Sequence, residues 1–309
     1  MSHDVVIVGG GPAGLSAGIY GARAGLRAAI VEMSVPGGHT ATTHYIENYP
    51  GFANGINGFE LAERMKEQVL RFGVEIIGTQ ARAIKKKDGS FVVFTDSREL
   101  AARALIVAIG TEWKRLNVPG EDKLRGRGVS YCATCDGPLF RKRDVAVVGC
   151  GNSGIQEGHF LLEFVNHVTF VEFLPEVTAD RILFDRIKED KRVDFLLNHE
   201  VVSIDGSGRV ESITVRDRDR GVERVVAVGG VFVYVGLEPH SGLLRDLVEL
   251  DDRGFVKVDE RMATSEPGVF AAGDICSKEI RQVVTACAEG ATAAISAYHY
   301  IRSFGTDFK

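Results

Sequence analysis

Val5-Val6-Ile7-Val8-Gly9-Gly10-Gly11-Pro12-Ala13-Gly14 stands near the start of the chain. Val145-Ala146-Val147-Val148-Gly149-Cys150-Gly151-Asn152-Ser153-Gly154 repeats its pattern in the middle. In each, a run of small and β-branched apolar residues suits a strand buried on both faces of a parallel sheet. In the glycine pattern that follows, the first glycine permits a tight turn and the second lets backbone approach a pyrophosphate. The third lets the next helix pack on the strand. A helical stretch and a second apolar strand ending in glutamate follow each loop: Ala29-Ile30-Val31-Glu32 and Thr169-Phe170-Val171-Glu172. Both intervals are 23 residues (9 to 32, 149 to 172). A lone glycine pattern is weak evidence; two in strand–loop–helix–strand–acid context at one spacing are strong evidence of paired dinucleotide sites.

Working outward, each copy continues alike. A helix (Gly58 to Phe72; Ala179 to Asp190) leads to a strand (Val74 to Ile77; Val193 to Leu196). Turn-rich β segments follow (Ala81 to Thr95; Val201 to Val226), and then an apolar strand (Ala104 to Ile109; Val231 to Val235). The pattern predicts an α/β protein of two Rossmann-like, three-layer ββα domains. After Leu237-Glu238-Pro239-His240 comes a segment with no nucleotide loop, ending in a long helix from about Arg281 to Arg302. It is expected to complete the first domain. The expected division is therefore residues 1–115 with 242–309 for the first domain, and an inserted second domain at 116–241.

The 309 residues, 45% hydrophobic and 26% charged, are ordinary globular material with room for a large core. A net charge of −5 argues against a dedicated nucleic-acid binder. The short basic clusters Lys85-Lys86-Lys87 before Asp88-Gly89, and Arg216 to Arg220 before Gly221, read as solvated hairpin turns. The longest apolar run, Val225 to Leu237, contains glycines and is too short for a bilayer, which needs about 20 residues. With the strand beginning at Val5 leaving no room for a signal peptide, a cytoplasmic protein without membrane attachment is expected.

Between the loops lies Cys132-Ala133-Thr134-Cys135-Asp136. A Cys-x-x-Cys is a redox dithiol, half of a zinc site, or chance. The other cysteines, Cys150, Cys276 and Cys287, form no second pair, which disfavours zinc. No metal is expected. The following Gly-Pro and apolar residues place the pair at the start of a short helix. The partial positive charge there favours the thiolate needed for exchange. Asp136 can shuttle protons or cap the helix, and the two roles are compatible.

Glu32 and Glu172 stand where a carboxylate accepts hydrogen bonds from an adenosine ribose. A 2′-phosphate takes cations, usually arginine just after this strand. Here Phe173, Leu174, Pro175 and Glu176 follow, with no basic residue before Arg181. Glu172 facing that phosphate repels it, by several kcal/mol on a rough Coulomb scale. The second loop thus predicts NADH over NADPH.

Over nearly its whole length the chain resembles the low-molecular-weight bacterial thioredoxin reductases. The residues that carry the resemblance are the first glycine loop, Gly37-Gly38-His39, Glu47-Asn48-Tyr49-Pro50-Gly51 and Cys-Ala-Thr-Cys-Asp. Gly-Asn-Ser of the second loop, Gly273-Asp274 and Arg281-Gln282 complete the set. The resemblance implies FAD in the first site (Gly9, Gly11, Pro12, Ala13, Gly14, Glu32, Gly38, His39) and nicotinamide nucleotide in the second (Gly149, Gly151, Asn152, Ser153, Gly154, Glu172). Gly273 and Asp274 would meet the FAD ribityl or phosphate region, and Asn48, Arg281 and Gln282 would lie along the flavin. It further implies a homodimer whose domains rotate, Cys135 as the thiol nearest the flavin, Cys132 as the interchange thiol, and Asp136 as acid–base residue.

The usual His-Arg-Arg cluster for NADPH is replaced by Glu172-Phe173-Leu174. That segment is similar to the flavoprotein subunit of alkyl hydroperoxide reductase, whose extra N-terminal dithiol domain is not seen here. His39 replaces a common glutamine and is expected to bind flavin or cap its loop. Gly154 and Gly158 are expected to loosen the helix after the second loop.

The reading that follows is a thioredoxin-disulfide reductase carrying electrons from NADH through FAD and Cys132–Cys135 to a thioredoxin-like protein. One alternative feeds a peroxiredoxin through a thioredoxin- or glutaredoxin-like adaptor. Others are a carrier-fed reductase, an oxygen-dependent dithiol oxidase and a flavin-bound sensor, all disfavoured by the intact second loop.

Overall fold

The computed structural model describes residues 3–87 and 89–303. Two compact units divide at Glu112/Trp113 and Leu237/Glu238, a few residues before the crossings expected from the sequence.

In the first unit the strands Glu75–Gly78, Ala28–Glu32, His3–Val8, Glu99–Val107 and Val269–Ala271 lie side by side and parallel. Side chains alternate across such strands. Val5, Ile7, Ile30, Ala104 and Ile106 face a layer of helices, Pro12–Arg23, Gly58–Arg71 and Val283–Ser303. Val6, Val8, Ala29, Val31, Leu105 and Val107 face the other way, with Phe91, Val93 and Leu100. Those last three belong to an antiparallel meander, Ala81–Lys87, Ser90–Thr95 and the first half of Glu99–Val107. The turn expected at Lys85–Gly89 joins two of its strands, and its Asp88 lies outside the described residues.

The second unit repeats the plan. Its parallel order is Val193–Leu196, His167–Val171, Asp144–Val148, Gly230–Val233 and Val129–Ser130. The meander His199–Asp205, Ser212–Asp217, Glu223–Ala227 covers one face. The helix Asn152–Leu161 covers the other.

Two expectations are corrected. The helix placed at 179–190 is only Arg181–Phe184. Asp180 gives it no side-chain cap, because that carboxylate is bound to Asn152 Nδ2 at 2.9 Å. Beyond it, Asp190 accepts the Arg192 backbone N–H at 2.9 Å, a local bond that competes with helix continuation. The glycines expected to loosen the second helix are instead required by packing. A Cβ on Gly154 would fall 1.9 Å from Gly149 O, and one on Gly158 would fall 2.2 Å from the Phe170 ring.

Candidate active site and nucleotide cradles

The glycine loops are superposable in their bonding as well as their spelling. Gly9 and Gly149 have φ of +106° and +105°, and a Cβ on either would strike the carbonyl of Ala108 or Tyr234. Gly9 N–H donates to Val31 O and Gly149 N–H to Val171 O, both at 2.8 Å. Glu32 Oε2 accepts the N–H of Gly10 and Glu172 Oε2 that of Cys150, both at 2.6 Å. The other oxygens take the N–H of Ser34 at 2.9 Å and of Leu174 at 3.0 Å. Each carboxylate is therefore fixed against its loop by two backbone donors, with lone pairs to spare for a ribose.

A cradle is present at each middle glycine. A Cβ on Gly11 would meet no atom within 4 Å, and one on Gly151 only Thr178 Oγ1 at 3.8 Å. Pro12, Ala13 and Gly14 begin one helix, and Asn152, Ser153 and Gly154 the other, so free N–H groups and the positive helix end face these spaces.

What surrounds the cradles differs. In the first unit the chain wanders from Met33 to Asn57 before its next helix, and places Gly38 with a Cβ position 3.5 Å from the Gly11 Cα. Asn48 Nδ2 donates to Gln282 Oε1 at 3.0 Å, joining two residues expected along a flavin. Gly273 N–H donates to Glu289 Oε2 at 2.8 Å, and Glu289 is held by Lys278 Nζ at 2.7 Å. Asp274 Oδ1 and Arg281 Nε are enclosed with no hydrogen-bond partner among the described residues, Asp274 Oδ1 having only the Lys278 ammonium at 3.8 Å and Arg281 lying over the Phe255 ring at 4.3 Å. Enclosed polar atoms of this kind beside the open space at Gly11 fit a polar, phosphate- and polyol-bearing cofactor. His39 is otherwise engaged: its Nε2–H donates to Thr111 O at 2.8 Å, and burial lowers its pKa.

In the second unit the loop after Glu172 is short. Thr178 and Ala179 N–H reach back to Cys150 O, and Asp180 N–H to Asn152 Oδ1 at 2.7 Å. Asn152, expected at the nucleotide, thus ties the loop to the helix start.

The redox pair is built beside this second loop. Ser130 Oγ accepts the Cys132 N–H at 3.1 Å as the chain leaves its strand. Cys132 is extended and caps the helix Ala133–Asp136, its Sγ accepting the Cys135 N–H at 3.2 Å. Cys132 and Cys135 form a disulfide with Cα atoms 5.3 Å apart. Cys132 is half-buried and Cys135 exposed. The capping role offered for Asp136 is not found, since Cys132 holds the cap and Asp136 makes no side-chain cap bond to the turn that follows.

A model of the pyridine nucleotide-disulphide oxidoreductase family matches residues 3–290. The chain belongs to that family. A thioredoxin reductase of Mycolicibacterium smegmatis is 43% identical over 300 residues, 97% of this chain and 96% of the relative. The bifunctional thioredoxin reductase/thioredoxin of Mycobacterium leprae is 42% identical over 301 residues; the match takes 97% of this chain and spans only 66% of that longer protein. The solved thioredoxin reductase of Lactococcus lactis has a TM-score of 0.95 at 35% identity, covering 97% of this chain and 99% of its own. The fold is thus the expected α/β arrangement of two dinucleotide-binding domains.

Three residues of this family member escape sequence reasoning. Tyr234, at the end of strand Gly230–Val233, has its carbonyl against Gly149 and its hydroxyl accepting the Ala133 N–H at 2.9 Å. It joins glycine loop to redox turn, and Trp113 packs edge-on against its ring at 5.2 Å. Its position at a parallel strand's carboxyl end is the one signal that marks it. Arg218, from the meander, stacks on Phe173 at 3.5 Å and donates to Phe173 O at 3.0 Å. A cation therefore does stand against Phe173, the residue after Glu172, supplied from a distant segment and bound to Asn198 Oδ1 as well at 3.2 Å. The third is Glu157, on the helix after the second loop.

Burial disfavours the thiolate at the thiols elsewhere. Burial pushes Cys276 up to about 12, and Cys150 well above its ordinary value. Among the described residues no helix is long and apolar enough to cross a membrane.

Proposed function

We propose that the chain is an FAD-dependent thioredoxin-disulfide reductase that draws its electrons from NADH in preference to NADPH. The observation that carries this reading is the Cys132–Cys135 disulfide, tied through Tyr234 to the second glycine loop. The relatives' names support thioredoxin as the protein substrate.

In this reading the first cradle holds FAD. Gly9, Gly11 and the helix start at Pro12 to Gly14 take the pyrophosphate, Glu32 the adenosine ribose, and Gly273 and Asp274 the ribityl or phosphate region. Gly38, Asn48, Arg281 and Gln282 line the flavin. The second cradle, Gly149 to Gly154 with Glu172, takes the nicotinamide nucleotide. FAD, when bound, supplies two-electron chemistry between a nicotinamide and a disulfide.

The chain's own residues do the sulfur chemistry. With the pair reduced, the Cys132 thiolate attacks one sulfur of the partner's disulfide and displaces the other as a thiolate. Asp136 delivers the proton that thiolate takes up. Cys135 then attacks Cys132 Sγ, which re-forms the internal disulfide and releases the partner's second thiol. The net exchange is NADH, a proton and a disulfide for NAD⁺ and a dithiol. A cycling pair of this type belongs in a reducing cytoplasm, and the reading carries a homodimer with it.

The nucleotide preference rests on Glu172, 8% exposed and pinned by Cys150 and Leu174 N–H. Arg218 Nη1 donates to Phe173 O and Asn198 Oδ1, while its charge and its other N–H donors remain, so the preference rests on Glu172 outweighing that cation. Anaerobic stopped-flow reduction of the flavin tests the assignment. Reduction by NADH at least tenfold faster than by NADPH, at about 1.4 kcal/mol per factor of ten, is expected. Equal or faster reduction by NADPH would sink the Glu172 argument, and slow reduction by both would sink the nicotinamide donor itself. The Glu172 segment also favours a second reading, in which the dithiol is passed to a peroxiredoxin through a small adaptor. Turnover with purified thioredoxin- and glutaredoxin-fold proteins, compared side by side, separates the two.

A further inference from the structure

The helix Asn152–Leu161 packs against the short helix Ala133–Asp136 that carries the redox pair. Glu157 points inward from it, 9% exposed. Its Oε2 and the Oγ1 of Thr134, the residue just before Cys135, are both enclosed with no hydrogen-bond partner among the described residues. The two side chains nonetheless act on each other, the Thr134 hydroxyl working against the burial that pushes the Glu157 carboxyl up to about 7. Tyr234, whose hydroxyl holds Ala133, also feels the Glu157 charge. An acid, a hydroxyl and a phenol thus meet beneath the two residues that separate the cysteines.

The internal repeat gives the comparison that decides what this carboxyl is for. Position by position the two helices correspond: Gly14 to Gly154, Leu15 to Ile155, Gly18 to Gly158. The counterpart of Glu157 is Ala17, fully buried in the copy that carries no cysteine pair. Packing alone is satisfied by alanine there. A lone carboxylate in such a place is costly, and the group responds by keeping its proton. The Thr134 hydroxyl, enclosed beside it, can both donate and accept and so can pair with either form of that carboxyl.

We propose that Glu157 is a positioning residue of the redox centre, its buried carboxyl pairing with the Thr134 hydroxyl and so fixing the turn on which the Cys132–Cys135 couple cycles. This rests on the reading of that pair as the redox centre. Ordering the turn keeps the Ala133 and Cys135 N–H groups aimed as they are, and the Cys135 N–H already points at Cys132 Sγ. A sulfur that becomes a thiolate gains most from that donor. The network therefore stabilises the reduced pair over the disulfide.

The test is the equilibrium of the pair against a dithiothreitol redox buffer in the FAD-loaded enzyme, read by alkylation of free thiols. Glu157→Leu is expected to shift the equilibrium about tenfold toward the disulfide, which is about 30 mV for a two-electron couple. Glu157→Gln keeps a polar amide that can pair with the Thr134 hydroxyl and is expected to stay within about twofold of the parent. Thr134→Val removes the hydroxyl and is expected to match Glu157→Leu, with the double variant no worse than either alone. An unchanged equilibrium in Glu157→Leu, an equal shift in Glu157→Gln, or additive effects in the double variant would each overturn the proposal. If Glu157→Leu does not fold, Thr134→Val and Glu157→Gln decide alone: the proposal stands only if the first shifts and the second does not. A parent pair that exchanges with no thiol buffer would instead overturn the redox reading on which it rests.

Discussion

The two glycine loops share one backbone design and differ in everything placed around it. Both fix their glutamate with the same two donors and close on the same carbonyl contacts. Around the first, the chain adds a long excursion, a distant C-terminal helix packed so close that a Cβ on Gly290 would fall 2.0 Å from Ala13 O, and enclosed polar atoms at Asp274 and Arg281 that find no hydrogen-bond partner among the described residues. Around the second it adds a short loop tied by Asn152 to Asp180, and a cysteine pair. In the proposed reading the first copy holds a resident cofactor and the second receives a visiting nucleotide beside the cysteine pair.

The sharpest way to break that division is at the sulfur. Cys132→Ser is expected to lower disulfide reduction by at least about 1000-fold while NADH still bleaches the flavin, because the nucleophile is lost and the cradles are not. Loss of bleaching would contradict the order of transfer. Next in size are the third glycines. Gly14→Val and Gly154→Val each drive a side chain into a backbone carbonyl 1.9 Å away. The first is expected to yield protein without FAD, measured by visible absorbance per chain. The second should retain FAD and lose its reduction by NADH. The same phenotype from both would mean that the copies are not divided as described.

Glu157 separates the copies by pH. Its folded-state pKa is raised by burial to about 7, above the ordinary carboxyl value of 4.5. Stability contributed by the protonated form is fully present below pH 4.5 and is lost as pH rises through 7. Between pH 5 and 8 the parent is expected to lose on the order of 2–3 kcal/mol relative to Glu157→Gln, seen as a falling difference in Tm. Parallel pH profiles would remove the buried acid from the account. The smallest effect is in nucleotide choice: Glu172→Gln is expected to narrow the NADH-over-NADPH ratio by about tenfold, or roughly 1.4 kcal/mol. Glu32→Gln, its counterpart, should leave that ratio unchanged and weaken FAD retention instead.

The sequence carried the loops, the acids and the cysteine pair because these are local patterns, each a few residues long with a steric or chemical reason for its spelling. Gly9 and Gly14 could be read from spacing alone because only glycine clears Ala108 O and Gly9 O. Tyr234, Glu157 and Arg218 could not be read, since each reaches its partner from another element through the parallel register or the meander. Asn152 and His39 were legible as site residues by resemblance, yet their side chains meet Asp180 and the Thr111 carbonyl, partners the spelling did not indicate. The helix expected over 179–190 failed for a local reason of the same kind, with Asp180 and Asp190 bonding elsewhere. Periodicity marks which face is buried; it does not mark where polar side chains find partners.

The central claim, that the second copy feeds electrons through a resident flavin to Cys132–Cys135, is tested most directly by counting them. Anaerobic titration of the FAD-loaded chain with NADH is expected to consume about two equivalents per chain, one for the flavin and one for the disulfide. Cys132→Ser should consume about one. Parent enzyme that stops at the same single equivalent as the variant would contradict the account, because the disulfide would then stand outside the path.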